Sequence, residues 1–309
     1  MKKISTVVVV LLATFTSMSA QYSMDFGVSL GASNYVGDVG GNGRNGGTGV
    51  QPKPWLLDMN LTKTNISAGG FYRLNFTRNI AAKLALTYAR IGGADSLSGI
   101  KTQKARNLSF RTDIFEATLT TEYYFYTARN ISRRSNYRIN FGSYFFAGVG
   151  ASFFYPHAQY NNQWYSLRPL QTEGVDNAYD VMTVVVPMGV GANFTFNKRL
   201  KLGIEFGYRF TSTDYLDDIS TRYAPESELP FQESIALANR SEEAFRRGDA
   251  ELVGLEGFFL RGAPSRRGNP ENNDGYIIGQ ICLSYNIESR RQKALYRKQI
   301  YRRRKRTTF

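Results

Sequence analysis

Residues 182–211 read MTVVVPMGVGANFTFNKRLKLGIEFGYRFT. From 182 to 196, Met182, Val184, Val186, Met188, Val190, Phe194 and Phe196 oppose Thr183, Asn193 and Thr195. From 200 to 211, Leu202, Ile204, Phe206, Tyr208 and Phe210 oppose Lys201, Glu205, Arg209 and Thr211. A period of two is the signature of strands with one apolar and one polar face. Each segment has the length of a membrane-crossing strand, ~9–11 residues. Only Asn197, Lys198 and Arg199 separate them, so the pair reads as a hairpin.

The same alternation recurs in 22–31, 66–76, 80–90, 113–126, 141–155 and 275–287, giving eight segments. The connections sort by length. Those after the second and sixth segments hold three residues each, and the one after the fourth, 127–140, is longer than an ordinary turn. The alternate connections, 32–65, 91–112, 156–181 and 212–274, are all long. Short turns at one end and long loops at the other mark an outer-membrane barrel, and a soluble sandwich has no reason to sort its loops by side. The expected fold is all-β: an eight-stranded antiparallel transmembrane β-barrel with long extracellular loops and a basic periplasmic C-terminal tail.

The first twenty residues, MKKISTVVVVLLATFTSMSA, have the layout of a secretory signal peptide, with Lys2 and Lys3 before an apolar run and small residues after it. The expected division is 1–20 signal peptide, 21–287 barrel and 288–309 tail. Met18 sits poorly for cleavage after Ala20, so the cut is not fixed. Beyond this leader no apolar run reaches the ~20 residues of a spanning helix. One cysteine rules out an intramolecular disulfide.

Arg73, Lys83, Glu116, Glu122, Glu205 and Arg209 fall on the faces opposite lipid. Eight strands enclose a space just wide enough to be filled by side chains, and charges inside it must pair. These six residues are therefore expected to form an interior charge network, which argues against a pore. Cys282 shares their parity and reads as a buried, inert thiol rather than an intermolecular bridge.

Three motifs invite catalytic or ligand readings. Gly41, Gly43 and Gly46 in VGDVGGNGRNGG match G-x-G-x-x-G, but a dinucleotide loop must open a helix, and here Pro52 and Pro54 follow. An exposed loop at the barrel mouth is expected. His157, the single histidine, has no serine or acid placed beside it and reads as a loop-base residue. Asp217 and Asp218 could contribute to a calcium site, but two carboxylates are thin support and loop solvation is the expectation. No metal or cofactor is expected. Residues 230–248 have helix-like composition and end at Gly248, so a short external helix is expected.

Net charge is +14, unevenly spread. Residues 288–309 hold ten Arg or Lys against Glu288. Arg78, Arg129, Arg133, Arg134, Arg138, Lys198 and Arg199 make the short turns basic, whereas loop 214–274 has thirteen acids and seven Arg. In an exported chain such a tail points to an acidic protein, cell-wall polymer or lipid rather than to nucleic acid. Leu295, Tyr296, Ile300 and Tyr301 could form a loose helical stripe on binding.

LGASNYVGDVGG, AGGFYRLNFTRN, YARIGGADS, RNLSFRTDIFE, PLQTEG and TDYLDDISTRY occur in the order found in PorG-type outer-membrane barrels of type IX secretion systems. Over roughly 22–287 the chain resembles that family. The resemblance implies a non-enzymatic outer-membrane anchor for the periplasmic ring of the lipoprotein PorK and its partner PorN. It assigns no catalytic roles, so Asp38, Asp214, Asp217 and Asp218 are marked as loop-motif positions only. Docking is expected at Arg129, Arg133, Arg134, Arg138, Arg302, Arg303, Arg304, Lys305 and Arg306, with outer-membrane lipid around the barrel. The rival readings are a small barrel enzyme using His157 and a passive membrane–cell-wall tether.

Overall fold

The computed structural model describes residues 23–40, 44–46, 49–51, 61–128, 139–197, 199–248 and 265–288. Eight long strands are present: β1 Ser23–Val36, β2 Asn65–Asn75, β3 Ile80–Ala94, β4 Ser109–Ala128, β5 Ile139–Tyr160, β6 Met182–Phe196, β7 Leu200–Thr211 and β8 Gly275–Glu288. Each pairs antiparallel with its sequence neighbours, and β1 pairs with β8, so the sheet closes without an edge. The eight alternating segments are these strands. β1, β3, β4 and β5 run further toward the long loops than the alternation indicates, because their ends pack on loop residues instead of lipid.

The pleat sorts the two faces as the side-chain period of a strand requires. Outward on neighbouring strands lie Val28, Leu30, Leu84, Leu86, Leu119, Val149, Val190, Ile204 and Leu283, all exposed. An unbroken apolar belt in water would be a severe liability, whereas in a bilayer it is the required surface. Among the described residues no helix is long and apolar enough to cross a membrane; the crossing is made by strands.

The inward face is crowded. An added Cβ at Gly191 would stand 2.4 Å from the Tyr144 ring, and one at Gly27 would stand 2.4 Å from the Phe71 ring. Each ring belongs to the glycine's register partner on the neighbouring strand, so glycine lets it lie flat across the inner wall.

The turns follow local chemistry. In the β2–β3 turn, the Thr77 hydroxyl accepts from the Asn79 and Ile80 amides. In the β6–β7 turn, Asn197 takes φ +48, a left-handed conformation that asparagine tolerates. Phe125 is the extra residue of a bulge near the short-turn rim of β4, where Tyr124 pairs with Tyr144 and Tyr126 with Ser143.

At the other end the long connections form a crown. It carries α1 (Lys101–Arg106), α2 (Gln232–Ala238) and α3 (Ser241–Arg246). The single helix expected over 230–248 is two, broken at Asn239 and Arg240, with Gly248 at φ +72 after the second. Ala105 of α1 meets Ala244 of α3, both fully buried. Leu216 and Ile219, from the β7–β8 connection, join Ile91, Phe110, Ile114, Phe154 and Ile278 in one apolar core across the barrel mouth. That connection is therefore a lid packed into the barrel.

Candidate functional site

Two buried polar sets lie on the barrel axis. The first fills the short-turn half. Arg73 of β2 donates through Nε to Glu122 at 2.9 Å and through Nη2 to Glu205 at 3.1 Å. Lys83 of β3 pairs with the other Glu205 oxygen. The Tyr144 hydroxyl donates to Glu205 at 2.7 Å, and the Tyr124 hydroxyl donates to Glu122 at 3.0 Å. Asp25 takes Lys201 at 2.5 Å and Asn75 at 3.1 Å, and also accepts from Asn286. One level up, Glu116 lies 3.7 Å from Arg209 and accepts from the Tyr276 hydroxyl at 2.5 Å.

All six residues expected on the interior thus point inward, as two linked groups. Asp25 and Lys201 belong to the same network and carry the same inward parity, one opposite Met24 and Phe26, the other opposite Leu200 and Leu202. Alternation alone could have identified both. Cys282 is buried on this face beside Phe71 and Ala85.

The second set lies in the crown and is mostly acidic. The Tyr35 hydroxyl is 2.7 Å from an Asp217 oxygen and 2.5 Å from an Asp274 oxygen. One phenolic proton serves only one of these contacts, so the other needs a proton on a carboxyl. Burial pushes both Asp217 and Asp274 well above the usual carboxylate range, helped by repulsion from Asp274 on Asp217 and from Asp214 on Asp274. Asp218 accepts from the Thr172 and Tyr179 hydroxyls, each at 2.5 Å, and burial raises it to about 6. Asp214 is buried, and burial pushes it up to about 8.

The expectation of solvated loop carboxylates is therefore corrected: Asp214, Asp217 and Asp218 are buried because the loop that carries them plugs the barrel. Asp217 and Asp218 also face different partners, and among the described residues no group of three His, Cys, Asp or Glu fits a metal ion. Two arginines hold the rest of the crown. Arg267 lies 3.2 Å from Glu173, whose oxygens accept from the Ser220 and Thr221 amides. Arg106 grips Asp95 at 2.7 Å and donates to the Asp38 carbonyl at 2.8 Å. Glu173, Arg267, Asp95, Arg106 and Asp274 lie in the connections between strands, where no strand alternation marks an inward side.

The glycine-rich stretch is a loop device. Gly40 takes φ +76, and its amide donates to Asp95 at 3.2 Å, while Arg44–Gly46 pairs with Gly49–Gln51 in a short hairpin. Gly41 and Gly43 lie outside the described residues. His157 is not at a loop base but within β5, opposite Arg111 and Ser166, because β5 continues beyond the belt. Its Nδ1 is 2.8 Å from the Tyr155 carbonyl. The signal peptide, the tail 289–309 and the docking residues Arg129, Arg133, Arg134, Arg138, Arg302, Arg303, Arg304, Lys305 and Arg306 also lie outside the described residues.

A closed eight-stranded meander with an apolar outer belt and a paired, charged interior defines a membrane-spanning β-barrel of the outer-membrane type. The chain belongs to the family described as a domain of unknown function, DUF6089, which matches residues 2–233. Among solved structures it is similar to the N-terminal barrel domain of Pseudomonas aeruginosa OprF, at 7% identity, 87% of this chain, 98% of that chain and TM-score 0.33. It is also similar to the attachment invasion locus protein Ail of Yersinia pestis, solved with sucrose octasulfate, at 11% identity, 85% of this chain, 99% of that chain and TM-score 0.30. The barrel assignment rests on the strand pairing itself. No curated protein matches the chain.

Proposed function

We propose that this barrel is a non-enzymatic component of the type IX secretion machinery, holding a periplasmic ring of PorK- and PorN-like proteins to the outer membrane. The observation that carries the reading is directional. β8 runs from Gly275, opposite Val36 at the long-loop end, to Glu288, opposite Ser23 at the short-turn end. Glu288, the last described residue, thus stands at the end that carries exposed Arg78 and Arg199, and ten basic residues come after it in the sequence. The acidic loop 214–274 lies at the opposite end. A basic face on one side of the membrane suits an acidic docking partner and steers its approach.

The test compares the full chain with one truncated after Glu288, both crosslinked in native membranes and purified under denaturing conditions. Loss of attached ring proteins on truncation supports a docking arm. Equal capture by both moves docking to the turns, and no capture by either, under conditions where a known ring contact is captured, overturns the anchor. Capture of peptidoglycan without ring proteins would instead favour a tether. His157→Ala is expected to leave secretion unchanged; loss of a lipid- or peptide-processing activity would favour the enzyme.

A further inference from the structure

The outward face carries an isolated cationic and aromatic patch just above the apolar belt on the long-loop side, where β3, β4 and β5 stand side by side. Outward residues of β4 run Phe125, Tyr123, Leu119 and Phe115, then Asp113 and Arg111. Phe115 is still 52% exposed and pairs with Phe153, so the belt reaches this level. Arg111 lies four residues further along β4. At ~3.4 Å per residue and a tilt of ~40°, that is about 10 Å beyond the belt edge, at the depth of the lipid headgroups.

Arg111 is placed to receive an anion. Its guanidinium lies 3.9 Å from the Trp164 ring centre, stacked beneath the short strand Gln163–Ser166 that extends β5. Its Nε is buried and has no hydrogen-bond partner among the described residues. The nearby carboxylate of Asp113 is engaged by Arg90 at 2.6 Å and the Tyr88 hydroxyl at 2.7 Å. His157 stands opposite Arg111 in the β4–β5 register, and Tyr155 and Trp164 are both exposed. Aromatic rings flanking a cation at the edge of an apolar belt are the composition of a membrane–water interface. The stack fixes the guanidinium plane while leaving its in-plane donors for a phosphate, which guanidinium binds in bidentate fashion.

We propose that Arg111, stacked on Trp164 and backed by Arg90, binds the phosphate of an anionic lipid headgroup in the leaflet that surrounds the long-loop end. This proposal rests on the membrane-spanning barrel and not on any role in secretion. A bound headgroup engages the terminal guanidinium nitrogens and fixes the extended β4–β5 hairpin against the bilayer.

The test is native mass spectrometry of the full chain released from detergent with phosphatidylglycerol or phosphatidylcholine present, folding being checked by the migration difference between unboiled and boiled samples. The wild-type protein is expected to retain phosphatidylglycerol and not phosphatidylcholine. Arg111→Gln should lower retention about tenfold, the scale of one charge-assisted pair, and Arg111→Lys should fall between, keeping the charge without the stacked plane. Arg78→Gln at the opposite rim should change nothing. A folded Arg111→Gln barrel that retains phosphatidylglycerol like the wild type overturns the proposal. So does loss of the lipid on adding excess inorganic phosphate, which would make the site one for free anions.

Discussion

The barrel interior and the loop crown bury similar numbers of carboxylates and treat them in opposite ways. Inside the barrel, Asp25, Glu116, Glu122 and Glu205 face Arg73, Lys83, Lys201 and Arg209, so charge balances. Among the described residues of the crown, Asp95, Glu173, Asp214, Asp217, Asp218 and Asp274 are buried with only Arg106 and Arg267 as buried cations. A balanced set gives every buried charge an opposite one to face. An unbalanced set must hold protons instead, because isolated buried carboxylates are prohibitively costly. The difference makes the barrel a fixed structure and the crown a titratable one.

The largest effect should come from breaking the balance. Arg73→Ala leaves Glu122 and Glu205 short of their shared cation, and removing one partner of a buried pair costs about 3–5 kcal/mol. Urea unfolding of the barrel in lipid vesicles should show that loss, and the double change Arg73→Met with Glu122→Leu should recover part of it. Next comes the belt. Leu119→Arg, midway along β4, should cost about 2–4 kcal/mol in the same assay and almost nothing in a protein not surrounded by lipid.

A crown change should act locally. Arg267→Ala frees Glu173 and Asp218 and should expose 212–248 to protease, while the unboiled sample keeps its folded migration. The last contrast is one of pH. Asp214 titrates at about 8 in the folded crown, against ~4 in an unfolded chain. The folded state therefore holds the proton longer, and the stabilisation is complete below ~4 and lost as pH rises to about 8. Asp218, at about 6, adds a smaller loss over the lower part of that window. Hydrogen exchange in 212–223 should quicken from pH 6 to pH 9, Asp214→Asn should flatten the trend, and amides of the balanced barrel should show none beyond the intrinsic pH effect.

The two regions also differ in how far the sequence betrays them. Strand parity is a rule of period two, so the inward placement of Glu205 or Arg209 follows once Phe206 and Tyr208 are assigned to lipid. Loops have no such rule. TDYLDDIS reads as polar and exposed, yet Leu216 and Ile219 anchor it in the mouth and carry Asp217 and Asp218 inward with them. Only the apolar residues interleaved with the acids hint at this. Arg111 and Trp164 were invisible for another reason: their meeting depends on β5 turning back on itself through Asn161 and Asn162, both at positive φ.

A closed interior is the claim on which both the anchor reading and the contrast with the crown depend. Its most direct test is conductance of the purified full chain in a planar bilayer at high salt. The account predicts insertion without sustained ohmic current, because the Arg73–Glu122–Glu205 cluster and the Leu216 lid occupy the axis. A stable open channel in the wild-type protein would contradict it.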